Sequence, residues 1–118
     1  MRYMLLLYMN QAEWAAVSTA EEAAHHRAHA QLIENLDRTG SFESSDALEP
    51  IGTATTVRVR GGKTLVTDGP FAETKEQLGG YYLVEARDLD EAIAIAARVP
   101  DAAIGSVEIR PVRQIGSS

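Results

Sequence analysis

Three histidines lie close together in a segment whose pattern is typical of an amphipathic helix: His25, His26 and His29. At about 100° per residue, His29 falls on the same apolar stripe as Leu32 and Leu36, and His25 lies one turn earlier on that face. A histidine among apolar side chains loses hydration and stays neutral near pH 7, so it can accept a proton. The pattern predicts that His29 is a general base or acid. The alternative is a core-edge histidine with one hydrogen bond.

The spacing of His25 and His29 also raises the question of a metal site, because zinc-binding helices place two histidines four residues apart. However, His26 follows His25, so the glutamate of His-Glu-x-x-His is missing, and no third ligand lies nearby in the sequence. The chain has no cysteine, which excludes disulfides, thiolate catalysis and cysteine-based metal sites. The sequence therefore predicts no metal and no cofactor.

A polar segment without clear periodicity, TDGPFAETKEQLGGYY, covers residues 67–82. Three candidate site residues lie in this segment: Asp68, Glu73 and Lys75. A fourth candidate, Tyr8, lies near the N-terminus. Asp68 is expected to orient His29 or to stabilise charge, while Glu73, Lys75 and Tyr8 would bind polar groups of a substrate. The alternative is a plain solvated turn, because Asp-Gly-Pro bends a chain readily.

The elements that would position these residues are strands and helices in mixed order. Strands are predicted at residues 3–9, 53–59, 63–67, 81–86 and 106–112, with a tight turn at Gly61-Gly62. Helices are predicted from Ser18 or Thr19 to about Thr39 and over residues 89–99, with a frayed tail at residues 114–118. This order predicts an α+β fold, a ferredoxin-like split βαβ arrangement with an extra β-hairpin.

Length and charge limit the classes of function. The 118 residues fit one domain, residues 1–118, and the net charge is −6. The only loose basic group is Arg58, Arg60 and Lys63, so binding to nucleic acid or to an anionic membrane is not expected. The apolar run at residues 3–9 is too short to span a membrane and has no cleavage site, which favours a cytoplasmic protein.

The predicted layers also suggest an assembly. A sheet that carries both helices on one face leaves its other face bare. A second copy of the chain is the simplest cover, so a homodimer is expected.

Several stretches of the sequence resemble one known family. Asp68-Gly69-Pro70-Phe71, followed by Glu73, Lys75-Glu76 and Gly79-Gly80-Tyr81, closely resembles the signature of the DGPF branch of YCII-related proteins. Further matches are residues 2–6, 54–58, 89–92 and 105–111, so the resemblance covers nearly the whole chain. It implies a dimeric α+β barrel in which two ferredoxin-like sheets pack face to face, with a pocket between helix and sheet in each subunit.

The resemblance also bears on the site. Some YCII-like proteins carry a His and Asp pair in the pocket, and His29 falls where their histidine lies, counting back from Gly40. One relative removes chloride from a chlorinated hydroxyquinol, and genes of the DGPF branch often lie beside genes for extracytoplasmic-function sigma factors. The first hypothesis is therefore acid–base chemistry on a small cyclic or aromatic metabolite. The alternatives are a non-catalytic ligand-binding or regulatory module linked to such a sigma factor, and a structural dimer with a vestigial pocket.

Overall fold

The computed structural model describes residues 1–115 of the chain. The end of the predicted tail, residues 116–118, lies outside the described residues. The strands are β1 (Arg2–Met9), β2 (Phe42–Ala47), β3 (Thr55–Arg60), β4 (Lys63–Asp68), β5 (Gln77–Glu85) and β6 (Ser106–Pro111). The helices are α1 (Gln11–Trp14), α2 (Thr19–Arg38) and α3 (Leu89–Ala96), with short 3-10 helices at Ile51–Thr53 and Pro100–Ala103.

Four strands form the main sheet in the order β2-β5-β1-β6, and each neighbouring pair is antiparallel. With β3 and β4 set aside, the order of elements is βαββαβ, so the chain is an α+β protein compatible with a ferredoxin-like fold. The predicted extra hairpin is present, because β3 and β4 pair antiparallel with each other in a separate two-stranded sheet.

The structure differs from the sequence prediction most clearly at two strands. The edge strand β2 was not predicted, because its sequence FESSDA has little β-branched or aromatic content and no alternating pattern. Strand β5 begins at Gln77 instead of Tyr81, because Gly79 and Gly80 lie within the strand and not in a turn. A Cβ on Gly80 would lie 2.8 Å from the carbonyl oxygen of Asp46, so glycine permits the close approach of β2 to β5.

The core lies between one face of the sheet and the two long helices. Alternate residues of β1 point into it, with Leu5 fully buried at 0% exposure, and Tyr82 and Val84 of β5 lie beside them. Helix α2 contributes Leu32 and Leu36 from its apolar stripe. The helix begins where the predicted cap Ser18 accepts a hydrogen bond from the Glu21 backbone N–H at 3.1 Å.

The opposite sheet face and the hairpin carry apolar side chains that no other part of residues 1–115 covers fully. On the sheet, Met4, Leu6 and Leu83 are half-buried. On the hairpin, Val57 and Val66 are 59% and 64% exposed. The chain is accordingly flat, with extents of 48 × 48 × 19 Å. Within residues 1–115, no helix has the length and apolarity that crossing a membrane requires.

Candidate functional site

A cavity of about 600 Å³ lies between α2, the sheet and the segment around α1. Most of its wall is apolar and includes Leu7, Met9, Trp14 and Ile33. Its polar side chains include His25, His29, Tyr82 and Asp101. The volume is in the range that holds a small organic ligand, and a mostly apolar wall with a few grouped polar atoms is typical of ligand sites.

His29 is at the centre of this polar group. Its Nε2 lies 2.6 Å from Oδ1 of Asp101, and its Nδ1 lies 2.5 Å from the hydroxyl oxygen of Tyr82. Both contacts are satisfied by a neutral imidazole whose Nε2–H donates to Asp101 while Nδ1 accepts the Tyr82 hydroxyl proton. Burial, and then the charge of Asp101, raises the pKa of Tyr82, so this hydroxyl keeps its proton near neutral pH.

His25 lies one helical turn before His29 and completes the polar group. Its Nε2 is 3.3 Å from Oδ1 of Asp101 and 3.2 Å from Nε2 of His29. The ring of Trp14 packs against that of His25, with 4.5 Å between the centroids. Burial lowers the pKa of His25 and outweighs the opposing effect of the Asp101 carboxylate, so the neutral imidazole is favoured.

Asp101 reaches the cavity from the short 3-10 helix Pro100–Ala103, between α3 and β6. It is 4% exposed and is buried beside the histidines. Its backbone carbonyl accepts hydrogen bonds from the N–H groups of Ile104 at 3.2 Å and Gly105 at 2.8 Å, which fixes this turn. A buried carboxylate is costly unless it is paired, so the arrangement holds a negative charge directly against the two imidazoles.

Of the residues predicted from the sequence as a site, only His29 lines this cavity. Asp68 is exposed at the end of β4, and the carboxylate that bonds to His29 is Asp101. The predicted pairing of Asp68 with His29 is therefore corrected. Asp68 does not line the cavity because of where the hairpin lies. Strands β3 and β4 pair with each other outside the main sheet, and the end of β4 that carries Asp68 does not fold over the cavity.

The other predicted binding residues also lie elsewhere. Glu73 and Lys75 are exposed in the connection between β4 and β5. Tyr8 faces the opposite side of the sheet, where its hydroxyl donates to Oε1 of Glu108 at 3.3 Å. The Asp-Gly-Pro segment is a turn at the base of the hairpin, with Gly69 at φ 107° and its N–H bonded to the carbonyl of Ala54 at 2.7 Å.

Sequence reasoning missed Asp101. It considered Tyr82 as one of several aromatic residues that could line a pocket, but favoured core or dimer packing for it. Asp101 is 72 positions from His29, follows a proline at the end of a helix, and belongs to no recognisable motif. Tyr82 looks like one of several aromatic residues on a strand. The available signal for Tyr82 was the alternation of β5, which places it on the same sheet face as the core.

Two comparisons with known proteins identify the family of the chain. The YCII-related domain matches residues 1–116. An uncharacterized protein of Rhizobium meliloti strain 1021 is 37% identical over 114 residues, which cover 95% of this chain and 92% of that protein. A domain match of this extent, together with a relative aligned over almost its full length, establishes the family. The chain belongs to the YCII-related family.

Proposed function

We propose that the cavity binds a small cyclic or aromatic metabolite and that the polar group at its wall carries out acid–base chemistry on it. The observation that supports this most directly is the buried Asp101 carboxylate, hydrogen-bonded to His29 at 2.6 Å in an otherwise apolar cavity. A carboxylate in this position stabilises the imidazolium that forms when His29 takes up a proton. The apolar wall suits a ring, and the polar group suits a hydroxyl or carbonyl on that ring.

One feature of the same site favours a second candidate, a non-catalytic ligand-binding or regulatory module. A link of such a module to an extracytoplasmic-function sigma factor is suggested by the family resemblance alone. Both ring nitrogens of His29 already have partners, Asp101 and Tyr82. A ligand must therefore displace one of these contacts before His29 can take its proton. If ligands occupy the cavity without doing so, the protein binds and releases them unchanged.

Replacing Asp101 with asparagine separates these candidates. A thermal-shift screen with small cyclic acids, phenols and lactones first identifies a ligand, and NMR then follows its turnover. For an enzyme, we expect Asp101→Asn to lower kcat/KM by about 100-fold or more, because the neutral amide cannot stabilise the imidazolium. Asp68→Asn, which removes the carboxylate outside the cavity, is the matched control and should stay within about twofold.

The outcomes of that comparison are distinct. An equal loss in both variants would contradict the assignment of Asp101 in place of Asp68. Binding of ligands in the cavity, with no turnover by the unmodified protein, would favour the binding module. Binding that does not shift the NMR signals of His29 would place the ligand elsewhere and remove support for both candidates.

We also propose that the protein is a homodimer in which two copies cover each other's open sheet faces. The half-buried row of Met4, Leu6 and Leu83 and the 19 Å thickness of the chain support this. The interface should bury on the order of 2,000 Å² in total. Light scattering at micromolar concentration should therefore give twice the chain mass. For Leu6→Glu it should give the mass of one chain, while circular dichroism should show that the variant is still folded.

The control for this substitution is Leu89→Glu, which places the same charge at a 51% exposed position at the start of α3. It should leave the dimer intact. An unmodified protein that is a stable, folded monomer at these concentrations would contradict the dimer.

A further inference from the structure

Three potential ligand atoms converge on one point beside the cavity: Nε2 of His25, Nε2 of His29 and Oδ1 of Asp101. The separations are 3.2 Å between the two nitrogens, 3.3 Å from His25 to Asp101 and 2.6 Å from His29 to Asp101. All three atoms belong to one mutually close group, and all three residues line the cavity. The side chains of His25 and Asp101 are 11% and 6% exposed, so bulk water does not separate them.

The three atoms, Nε2 of His25, Nε2 of His29 and Oδ1 of Asp101, form a triangle. Hydrogen bonds alone cannot make all three of its contacts favourable. If both imidazoles donate to Oδ1 of Asp101, two N–H groups crowd the same oxygen with their nitrogens 3.2 Å apart. If Nε2 of His25 carries no proton, its lone pair faces the carboxylate oxygen at 3.3 Å instead. Either way, one of the three contacts is repulsive. A cation at the centre would make all three favourable, because each atom would then direct a lone pair toward positive charge.

We propose that this triangle binds a divalent transition-metal ion of the zinc class, with one ligand atom from each of His25, His29 and Asp101. Zinc bonds of about 2.0–2.1 Å in a tetrahedral site place neighbouring ligand atoms about 3.3 Å apart. Two of the three separations already have this value, and the contact between His29 and Asp101 has to lengthen by about 0.7 Å. Two imidazoles and one carboxylate suit zinc, iron(II) or cobalt(II), whereas magnesium and calcium require mostly oxygen ligands.

The surroundings of the triangle favour metal binding. With Nε2 on the ion, the proton of His29 moves to Nδ1 and is donated to the hydroxyl oxygen of Tyr82, which lies 2.5 Å away. The Trp14 ring, 4.5 Å from that of His25, holds the second imidazole in place. Asp101 is fixed by the backbone hydrogen bonds of its turn. The ligands are therefore already oriented, and little rearrangement accompanies binding.

Three protein ligands leave a fourth position for a water molecule or for an oxygen of the bound metabolite. Catalytic zinc sites have this composition, in contrast to structural sites with four protein ligands. The inference rests on the proposed function for the use of the cavity, and it reassigns the proton acceptor. A bound ion would lower the pKa of a water molecule on it, so that this water loses a proton to solvent. The resulting hydroxide, and not the imidazole of His29, would take the proton of the metabolite and become water.

Metal titration of the free protein tests the site without any organic ligand. Tag-free protein is stripped with EDTA, dialysed, and titrated with Zn²⁺ by calorimetry and with Co²⁺ by visible absorption. We expect one ion per chain, with a cobalt band typical of four or five ligands. Co²⁺ should also quench the fluorescence of Trp14, the single tryptophan of the chain.

Variants then identify the ligands. His25→Ala and Asp101→Asn should each weaken Zn²⁺ binding by at least about 100-fold, because loss of a direct ligand costs more than the 10–100-fold of an indirect partner. His26→Ala is the matched control, since His26 is the adjacent, exposed histidine and lies outside the triangle. It should change the affinity less than about threefold.

Nitrogen NMR of the unmodified protein tests the same ligands without any variant, in case a variant does not fold. Adding Zn²⁺ should shift the NMR signals of Nε2 in His25 and in His29 and leave the signals of His26 unchanged. The proposal is overturned if the stripped protein takes up no Zn²⁺, or if His26→Ala removes binding and His25→Ala does not. Ion binding without turnover of any metabolite would count only against the proposed function, and turnover by fully stripped protein would reject only the role of the ion in that turnover.

Discussion

Gly105→Ala should destabilise the protein strongly, with a loss of about 3 kcal/mol in the free energy of unfolding. A Cβ at this position would lie 2.0 Å from the carbonyl oxygen of Tyr8 and 3.0 Å from the Cα of Met9. Both are backbone atoms of the central strand, so no side-chain rotation can relieve the clash. The backbone around residue 105 has to move, and with it the turn that holds Asp101, because the Gly105 N–H bonds to the Asp101 carbonyl at 2.8 Å.

Gly52→Ala is the matched control, because no atom lies within 4 Å of a Cβ built there. Its effect should stay within about 0.5 kcal/mol. Urea unfolding of both variants, followed by circular dichroism, measures the difference. If Gly105→Ala were as stable as Gly52→Ala, the close approach of the turn to β1 would be incorrect, and so would the position that it gives Asp101.

Leu5→Ala should cost about 3–4 kcal/mol, within the 2–5 kcal/mol known for buried leucines. Leu5 is 0% exposed in the middle of β1, against the helices. Its removal leaves a cavity that rigid strand backbones on both sides cannot close, because β1 is flanked by β5 and β6. The measurement is again the free energy of unfolding in urea.

The comparison for Leu5→Ala is Leu89→Ala, the same chemical change at a 51% exposed position. It should cost less than about 1 kcal/mol. Similar losses in the two variants would mean that β1 is not the centre of the core. A much larger loss for Leu89 would point to an additional contact on α3.

The family and the helix–sheet layers could be predicted because they depend on local patterns. The apolar run of β1, the Ser18 cap and the stripe of α2 are each contained within one segment of sequence. The same stripe correctly placed His29 toward the sheet. Strand β2 could not be predicted, because its polar sequence is held by pairing with β5 and not by its own preference.

The partner of His29 could not be predicted for a related reason. Asp68 was favoured because it lies in the most distinctive motif, yet that motif shapes a turn. Asp101 lies in an ordinary segment and reaches the site only through the packing of α3 and the return of β6. The position of a side chain that depends on long-range packing is not reflected in the periodicity of the sequence. The pairing of Asp101 with His29 can therefore be seen only in the three-dimensional structure.

The order of strands has a consequence for how the chain reaches this structure during synthesis. Strand β1 is made first, yet its two neighbours are β5 and β6, with Tyr3 opposite Val84 on one side and Pro111 on the other. The first edge of β1 can be paired only after β5, which ends at Glu85, has left the ribosome, and the second edge only after β6, which ends at Pro111. Pairing between such distant segments slows folding and leaves apolar edges open to other nascent chains. Ribosome-bound chains that end before residue 106 should accordingly be protease-sensitive and prone to aggregate, whereas the released chain folds.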